Sequence, residues 1–188
     1  MVGPVETVGG VVQARTMPDT AWTSVPSSVG ELTLQADGDG LRYLLFDSFQ
    51  GRPSPVLERV RSGPRIDDHA VLVTAAAQLA EYFAGARQRF ELPLAPRGSA
   101  FQQAVWEQLR SIPYGAMVSY GDIARRLGLA PGASRAIGLA NGSNPIAVII
   151  PCHRVIGADG SLTGFGGGLD RKRTLLDLES GVVGDRLF

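Results

Sequence analysis

The stretch PIAVIIPCHRVIG, residues 145–157, places the chain's only cysteine, Cys152, directly before His153, one of only two histidines. A thiolate is a strong nucleophile, and a nearby imidazole raises the thiolate fraction of a group whose pKa is otherwise about 8.5. Neighbours in sequence need not face each other, so a direct contact and a contact through one water are both open. A buried structural cysteine beside a structural histidine is the alternative.

A nucleophile and its base commonly work with a third group that orients the imidazole, most often a carboxylate. Asp159, Asp177 and Glu179 are candidates, and residue types and spacing do not choose among them. One cysteine and two histidines cannot assemble a cysteine and histidine zinc site, so no metal is expected. The single cysteine also excludes an internal disulfide and favours a reducing, cytoplasmic location.

A glycine-rich segment follows, in which Gly164, Gly166, Gly167 and Gly168 surround Phe165. Its spacing matches neither the dinucleotide-binding motif nor a phosphate-binding P-loop. Three interpretations stay open: a phosphate cradle, a loop that brings backbone amides and an aromatic wall to a flat ligand, and a tight turn.

The elements around these residues are predicted from their apolar pattern. Ile146–Ile150 reads as a buried strand that Pro151 ends, so Cys152 would lie at a strand end, where reactive groups are often found. Residues 169–179, LDRKRTLLDLE, predict a last amphipathic helix. Capping boxes at Ser99 and Ser119 predict two further helix starts.

A helix-turn-helix is predicted from YGDIARRLG and ASRAIGLANG, two short helical segments around the turn LAPG. An ordinary helical hairpin is the alternative. Ala133, Ala136 and Gly138 leave the second helix nearly bare, and Arg135 is its one long cation. A thin helix suits a minor groove or close helix packing, and it offers few side chains for reading bases. We therefore expect little sequence preference if this helix meets DNA.

The pattern of the chain supports a mixed α/β protein. Composition and pattern place a domain boundary near residue 97. The net charge of the 188 residues is zero, and no apolar stretch is long enough to span a bilayer. Residues 98–180 carry eight Lys and Arg residues and six acidic residues, so this half has a net positive charge. If the protein binds a polyanion, we expect this half to bind it. The predicted elements are a tail over residues 1–20, a hairpin in ELTLQADGDGLRYLLF, a loop over 47–66, a helix in HAVLVTAAAQLAEYFAG and a strand in FELPLAP.

Three segments, PYGAMVSYGDIARRLG, SRAIGLANGSNPIAVIIPCHRVIG and GSLTGFGGGLDRKRTLLDLE, closely resemble the O6-alkylguanine-DNA alkyltransferases, which are single-turnover repair proteins. The resemblance is continuous from about Gly98 to Glu179, and VPSSVGELTLQADGDGLRYLLF looks like the family's opening hairpin. It implies an α/β (α+β) fold with a small RNase-H-like domain over residues 21–96 and a winged helix-turn-helix domain over residues 97–188.

The resemblance also implies an activity. An alkyl group would pass from O6-alkylguanine, and from O4-alkylthymine, in duplex DNA to Cys152 after base flipping. The protein would act as a monomer in the minor groove, and it would need no cofactor because the nucleophile is consumed. Two other classes stay open: a non-catalytic sensor of alkylated bases, whose relatives lack the cysteine, and a Cys-His-Glu hydrolase with turnover.

Roles for single residues follow from the same resemblance. Cys152 would accept the alkyl group, His153 would take the thiol proton through a water, and Glu179 would orient His153. Asn144 would hold the turn, and Tyr120 would donate toward guanine N3. DNA contacts are implied for Arg135, which would fill the gap left by the flipped base, and for Ala133, Ala136, Gly138 and Tyr120. The implied pocket residues are Phe165, where the family commonly has tyrosine, Gly166, Lys172, Val155 and Pro145.

Overall fold

The computed structural model describes residues 20–48, 51–52 and 54–181. The tail expected over residues 1–20 lies outside these residues, except for Thr20, which begins the first strand. None of the helices in these ranges combines the length and apolar character needed to cross a bilayer. The elements are β1 (Thr20–Val25), β2 (Leu32–Asp37), β3 (Gly40–Phe46), α1 (Pro55–Arg61), α2 (Ala70–Phe83), α3 (Ala100–Arg110), β4 (Val118–Ser119), α4 (Tyr120–Arg126), α5 (Ser134–Gly142), β5 (Val155–Ile156) and α6 (Leu169–Glu179).

The N-terminal half is built on an antiparallel sheet with the order β1-β2-β3. The predicted hairpin is confirmed, because Asp37 pairs with Gly40 across a two-residue turn. The Asp37 carboxylate accepts a hydrogen bond from the Asp39 backbone N–H at 2.9 Å, which shapes this turn. Gly40 has a φ of +140°, and a Cβ there would lie 2.5 Å from the Pro93 carbonyl oxygen, so only glycine fits.

Two predictions for this half were wrong in part. The loop expected over residues 47–66 contains α1, which Pro55 begins at the first helical position, where its missing N–H costs nothing. The strand expected in FELPLAP is a single bridge between Leu41 and Leu94. The Pro93 carbonyl accepts from the Leu41 N–H, but Pro93 has no N–H of its own with which to extend a ladder.

The C-terminal half is mainly helical, and both predicted capping boxes are present. Ser99 opens α3, and Ser119 opens α4. The α4 and α5 helices pack against each other and against α3, as the helix-turn-helix prediction requires. The Trp106 indole on α3 donates to the Ala140 carbonyl at 2.9 Å, which joins α3 to α5. The mixed α/β class, with a small sheet unit before a helical unit, is therefore as the sequence predicts.

The segment Ile146–Ile150 is buried as expected, but it is a compact turn and not a strand. The Ile150 N–H donates to the Ile146 carbonyl at 3.0 Å, which closes the turn. Val148 adopts a φ of +68°, a left-handed conformation that is strained for a β-branched residue. The apolar run therefore indicates burial but not a strand, and the chain turns inside the core before it reaches Cys152.

Candidate active site

Cys152 begins a single 3-10 turn, Cys152–Arg154, that follows the buried turn and Pro151. The Asn144 side chain holds the buried turn at both ends: its Nδ2 donates to the Ile150 carbonyl at 2.8 Å, and its Oδ1 accepts from the Ile146 N–H at 3.0 Å. Only 6% of Cys152 is exposed. The thiol therefore lies on a fixed, almost completely buried segment of backbone.

His153 is fully buried and contacts Glu179, with 2.8 Å between Nε2 and Oε1. A carboxylate only accepts hydrogen bonds, so Nε2 carries the proton and Nδ1 is left with a basic lone pair. Nδ1 has no hydrogen-bond partner among the described residues. The imidazole is thus held in the tautomer of a general base whose accepting nitrogen is available.

Of the three candidate carboxylates, the structure brings Glu179 to the imidazole. Asp159 instead accepts from Ser161 in an exposed turn, and Asp177 is half-buried on α6 without a recorded contact to His153. The turn that carries His153 packs against α6, and this packing explains why Glu179, at the end of that helix, reaches the ring.

Two further side chains bind Glu179, and sequence reasoning did not assign either of them; the Gly115 N–H also donates to Oε2, at 3.2 Å. Arg154 donates to both carboxylate oxygens, at 2.8 and 2.9 Å, and to the Ile112 carbonyl at 2.6 Å. The Tyr82 hydroxyl, from α2 in the N-terminal half, donates to Oε1 at 2.7 Å. Arg154 could have been suspected from its place in the PCHR block, whereas Tyr82 is distant in sequence and carries no such signal.

The electrostatics favour a neutral resting pair. Burial raises the pKa of the Cys152 thiol, although a hydrogen bond from Asn144 and the Lys172 ammonium oppose that shift. Burial lowers the pKa of His153 more than Glu179 raises it. Burial alone would raise the pKa of Glu179, but hydrogen bonds from His153 and Arg154 outweigh burial and lower it. At neutral pH the site therefore holds a thiol, a neutral imidazole and a carboxylate.

This charge arrangement predicts acid lability. His153 and Glu179 both bind protons less readily in the folded chain than in the unfolded chain, whose pKa values are about 6.5 and about 4.3. The unfolded state therefore takes up more protons as pH falls, and stability falls with pH below about 6.5 and further below about 4.3. The midpoint of urea unfolding should drop between pH 7.5 and pH 5.

A His153→Gln variant should lose the part of this decline that lies near pH 6.5. A urea midpoint in the wild type that does not change between pH 7.5 and pH 5 would contradict this account of the site.

Two cavities with shared lining residues lie at this site, and Cys152 lines the smaller of them. The inner chamber, about 70 Å³, is lined by Cys152, Asn141, Gly142, Asn144, Ala147, Leu44, Leu45, Phe46, Ser48, Ser54 and the loop 164–167. The outer cleft, about 690 Å³, is lined by Tyr120, Ser134, Arg135, Gly138, Leu139, Gly142, Ser143 and the loop 163–166. Phe165 and its neighbouring glycines line both cavities, so the glycine-rich loop forms a shared wall between them.

The Phe165 wall is supported from the N-terminal half. Its ring lies edge-on to Phe46 at 5.6 Å between centroids, and the Arg171 guanidinium lies 5.2 Å from the Phe46 centroid. A Cβ at Gly167 would approach the Phe46 ring to 2.7 Å, so glycine is required there. Gly167 of this loop thus permits close packing of Phe46 against Phe165, and the three interpretations of the segment stay predictions.

Three of the five predicted DNA-contacting residues, Tyr120, Arg135 and Gly138, line the outer cleft. Ala136 and Ala133, the half-buried residue that precedes α5, are absent from this lining. Arg135 and Ala136 are exposed, and Gly138 faces the Tyr120 ring, where a Cβ would lie 3.8 Å away. The Tyr120 hydroxyl contacts the Thr163 and Gly164 carbonyls at 3.3 and 3.4 Å. Sequence reasoning missed Leu139, which is 72% exposed on the same helix and adds an apolar side chain to this surface.

Three predicted pocket residues lie behind the cavity walls: Lys172, Val155 and Pro145 are absent from both linings. The Lys172 ammonium is buried and donates to the Val155 carbonyl at 2.6 Å and to the Thr163 carbonyl at 2.7 Å. Burial lowers the pKa of Lys172 to about 8. Lys172 therefore joins β5 to the start of the glycine-rich loop, and its positive charge faces the thiol from behind.

Comparisons with known proteins agree with these features. Residues 21–96 match the ribonuclease-like domain of 6-O-methylguanine DNA methyltransferase, and residues 100–181 match the DNA-binding domain of the same family. A methylated-DNA--protein-cysteine methyltransferase from Mycolicibacterium paratuberculosis is 63% identical over 158 residues, which cover 84% of this chain and 91% of that protein.

A similarly named protein from Haemophilus influenzae is 44% identical over 159 residues, covering 84% of this chain and 85% of that protein. A crystal structure of Mycobacterium tuberculosis OGT in complex with DNA has a TM-score of 0.75 and 46% identity, and the match covers 86% of this chain and 93% of that one. The chain belongs to the 6-O-methylguanine DNA methyltransferase family, a family of DNA repair proteins that transfer alkyl groups to a cysteine of their own.

Proposed function

We propose that this chain repairs DNA in a single turnover by moving the alkyl group of O6-alkylguanine, and of O4-alkylthymine, onto Cys152. The observation that carries the proposal is a buried thiol adjacent in sequence to a buried, oriented imidazole whose Nδ1 has no partner in the described part of the chain. Sulfur is a soft nucleophile suited to an alkyl carbon, and a thioether has no ready hydrolytic exit. Each molecule would therefore act once, and no cofactor would regenerate it.

The transfer balances without a further reactant. His153 Nδ1 takes the thiol proton through one water, and the Cys152 sulfur forms a bond to the alkyl carbon while the bond from that carbon to guanine O6 breaks. The electron pair of the broken bond stays on the purine. Tyr120 stabilises this developing charge by donating toward N3. The proton taken from the thiol then passes from His153 to the purine. The products are S-alkylcysteine and guanine.

DNA would bind along the outer cleft, with α5 in the minor groove. The bare face of α5 lets the backbone approach the sugars and phosphates closely, and an exposed leucine and arginine on that helix suit a groove from which a base is flipped. Few long polar side chains face this surface, so sequence preference would be weak. The chain would act as a monomer in a reducing cytoplasm, where Cys152 stays a free thiol.

The proposal is tested by counting lesions lost from duplex DNA that carries O6-methylguanine in excess over protein. We expect the loss to stop at one equivalent of protein. Loss that continues for many equivalents would indicate a hydrolase. Tight binding without any loss would indicate a sensor of alkylated bases.

Replacing Arg135 with alanine should slow methyl transfer from duplex DNA by about 10- to 100-fold, because the gap left by the flipped base is no longer filled. Transfer from free O6-benzylguanine, which needs no flipping, should change little. Arg110→Ala, an exposed arginine outside the outer cleft, is the matched control. Equal losses on duplex and free base would contradict a role in flipping.

Replacing Phe165 with tyrosine should leave methyl transfer within about threefold but slow benzyl transfer by about 3- to 10-fold, because a hydroxyl added to a tightly packed wall needs both space and a partner. Phe165 is 5% exposed and already packs against Phe46. Single-turnover rates with both substrates check this. Unchanged rates with both substrates would contradict this prediction, because they would show that the added hydroxyl has no effect on transfer.

A further inference from the structure

Asn141, near the end of α5, lines the inner chamber but not the outer cleft. It is 2% exposed, and its Nδ2 donates to the Cys152 carbonyl at 3.4 Å. A carbonyl can only accept, so the atom that faces it must be the amide nitrogen, and this fixes the orientation of the side chain. Its Oδ1 is therefore an acceptor, and this buried oxygen has no partner among the described residues.

Two other polar side chains of this lining, Asn144 and Ser48, are already engaged, whereas Ser54 makes no capping hydrogen bond to α1. Asn144 bonds the backbone of the buried turn through both its amide atoms, and the Ser48 hydroxyl accepts from Arg171. Much of the remaining lining is apolar. Buried side-chain polar atoms are paired in the large majority of cases, so the unpaired Oδ1 of Asn141, a residue of this lining, is a feature that a bound donor would satisfy.

Under the proposed function, the two cavities would divide the substrate between them. The outer cleft carries Tyr120 and Arg135, which act on the base and the duplex under the proposed function. The part of an alkyl group beyond its reacting carbon must then enter the inner chamber, which Cys152 also lines. At about 70 Å³ the chamber holds a few non-hydrogen atoms and so accepts groups larger than methyl.

We propose that the Asn141 Oδ1 accepts a hydrogen bond from a hydroxyl carried by the alkyl group, so that this protein selects short hydroxyalkyl adducts over alkyl adducts of the same size. The selectivity rests on the proposed function, because it acts on the same transfer to Cys152. O6-(2-hydroxyethyl)guanine and O6-propylguanine form the matched pair, since their side groups have equal numbers of non-hydrogen atoms. A site built around a buried polar group rejects the analogue that leaves that group unpaired.

The test compares single-turnover rates on duplexes that carry O6-methyl, O6-propyl or O6-(2-hydroxyethyl)guanine. Asn141→Leu keeps the shape of the side chain and removes the acceptor. The ratio of hydroxyethyl to propyl rates should fall by about 3- to 10-fold in this variant, the size of one neutral hydrogen bond. Gln103→Leu makes the same chemical change at an exposed site on α3 and should keep the wild-type ratio.

Asn141→Ala provides a second variant that removes the acceptor, should the leucine variant fail to fold, and its ratio should fall in the same direction. An identical ratio in the wild type and in a folded Asn141 variant would overturn the proposal while leaving methyl transfer by the wild type intact. Absence of methyl transfer in the wild type would overturn the proposed function itself.

Discussion

Cys152→Ser should lose methyl transfer to below about one-thousandth of the wild-type rate, as expected when the nucleophile of a cooperating group is removed. A serine hydroxyl has a far higher pKa than a thiol, and the burial that raises the pKa of Cys152 would disfavour an alkoxide still more. Binding to lesion-containing duplex DNA should persist, because the outer cleft is unchanged. Loss of chemistry with retained binding separates the role of the sulfur from a folding defect.

The measurement pairs single-turnover methyl transfer with a binding isotherm on the same duplex, and thermal unfolding serves as the folding control. Appreciable methyl loss with the serine variant would mean that another residue accepts the group.

Glu179→Ala should destabilise the fold by about 3–5 kcal/mol, since it leaves Arg154 buried without its counter-charge. For a chain of this size each kcal/mol lowers the melting temperature by about 2–4 °C, so a fall of about 6–20 °C is expected. The same change removes the hydrogen-bond partners of His153 and Tyr82. Transfer should therefore also slow at temperatures where the variant is still folded.

Asp177→Ala is the matched control, because Asp177 is an acidic residue on the same helix without a recorded contact to the imidazole. Its melting temperature and transfer rate should stay near those of the wild type. Similar losses in both variants would show that acidic residues on α6 act through general electrostatics and not through the network at Glu179.

The local features of the fold could be read from the sequence because they depend on neighbours in the chain. Capping boxes at Ser99 and Ser119 satisfy the first backbone N–H groups of their own helices, and the turn at Gly38 and Asp39 follows from residues that favour it. The strand predicted over Ile146–Ile150 was wrong. Its apolar run fits a buried strand and a buried turn equally, and the deciding bonds come from Asn144.

The candidate site divides in the same way. The sequence alone predicted Cys152 and His153 as a nucleophile and its base, because the two residues are adjacent. It could not identify the carboxylate that orients His153, because that contact depends on the packing of α6. Tyr82 had no signal, because its contact with Glu179 joins two halves of the chain. Lys172 was expected in the pocket but lies behind it, since only the packed backbone shows which carbonyls its ammonium bonds.

The most direct test of the account is the mass of the intact protein after incubation with excess duplex DNA that carries O6-methylguanine. We predict a single added methyl group, mapped by peptide fragmentation to Cys152 and absent from the Cys152→Ser variant. An unmodified protein, or a methyl group on any other residue, would contradict the assignment of Cys152 as the alkyl acceptor.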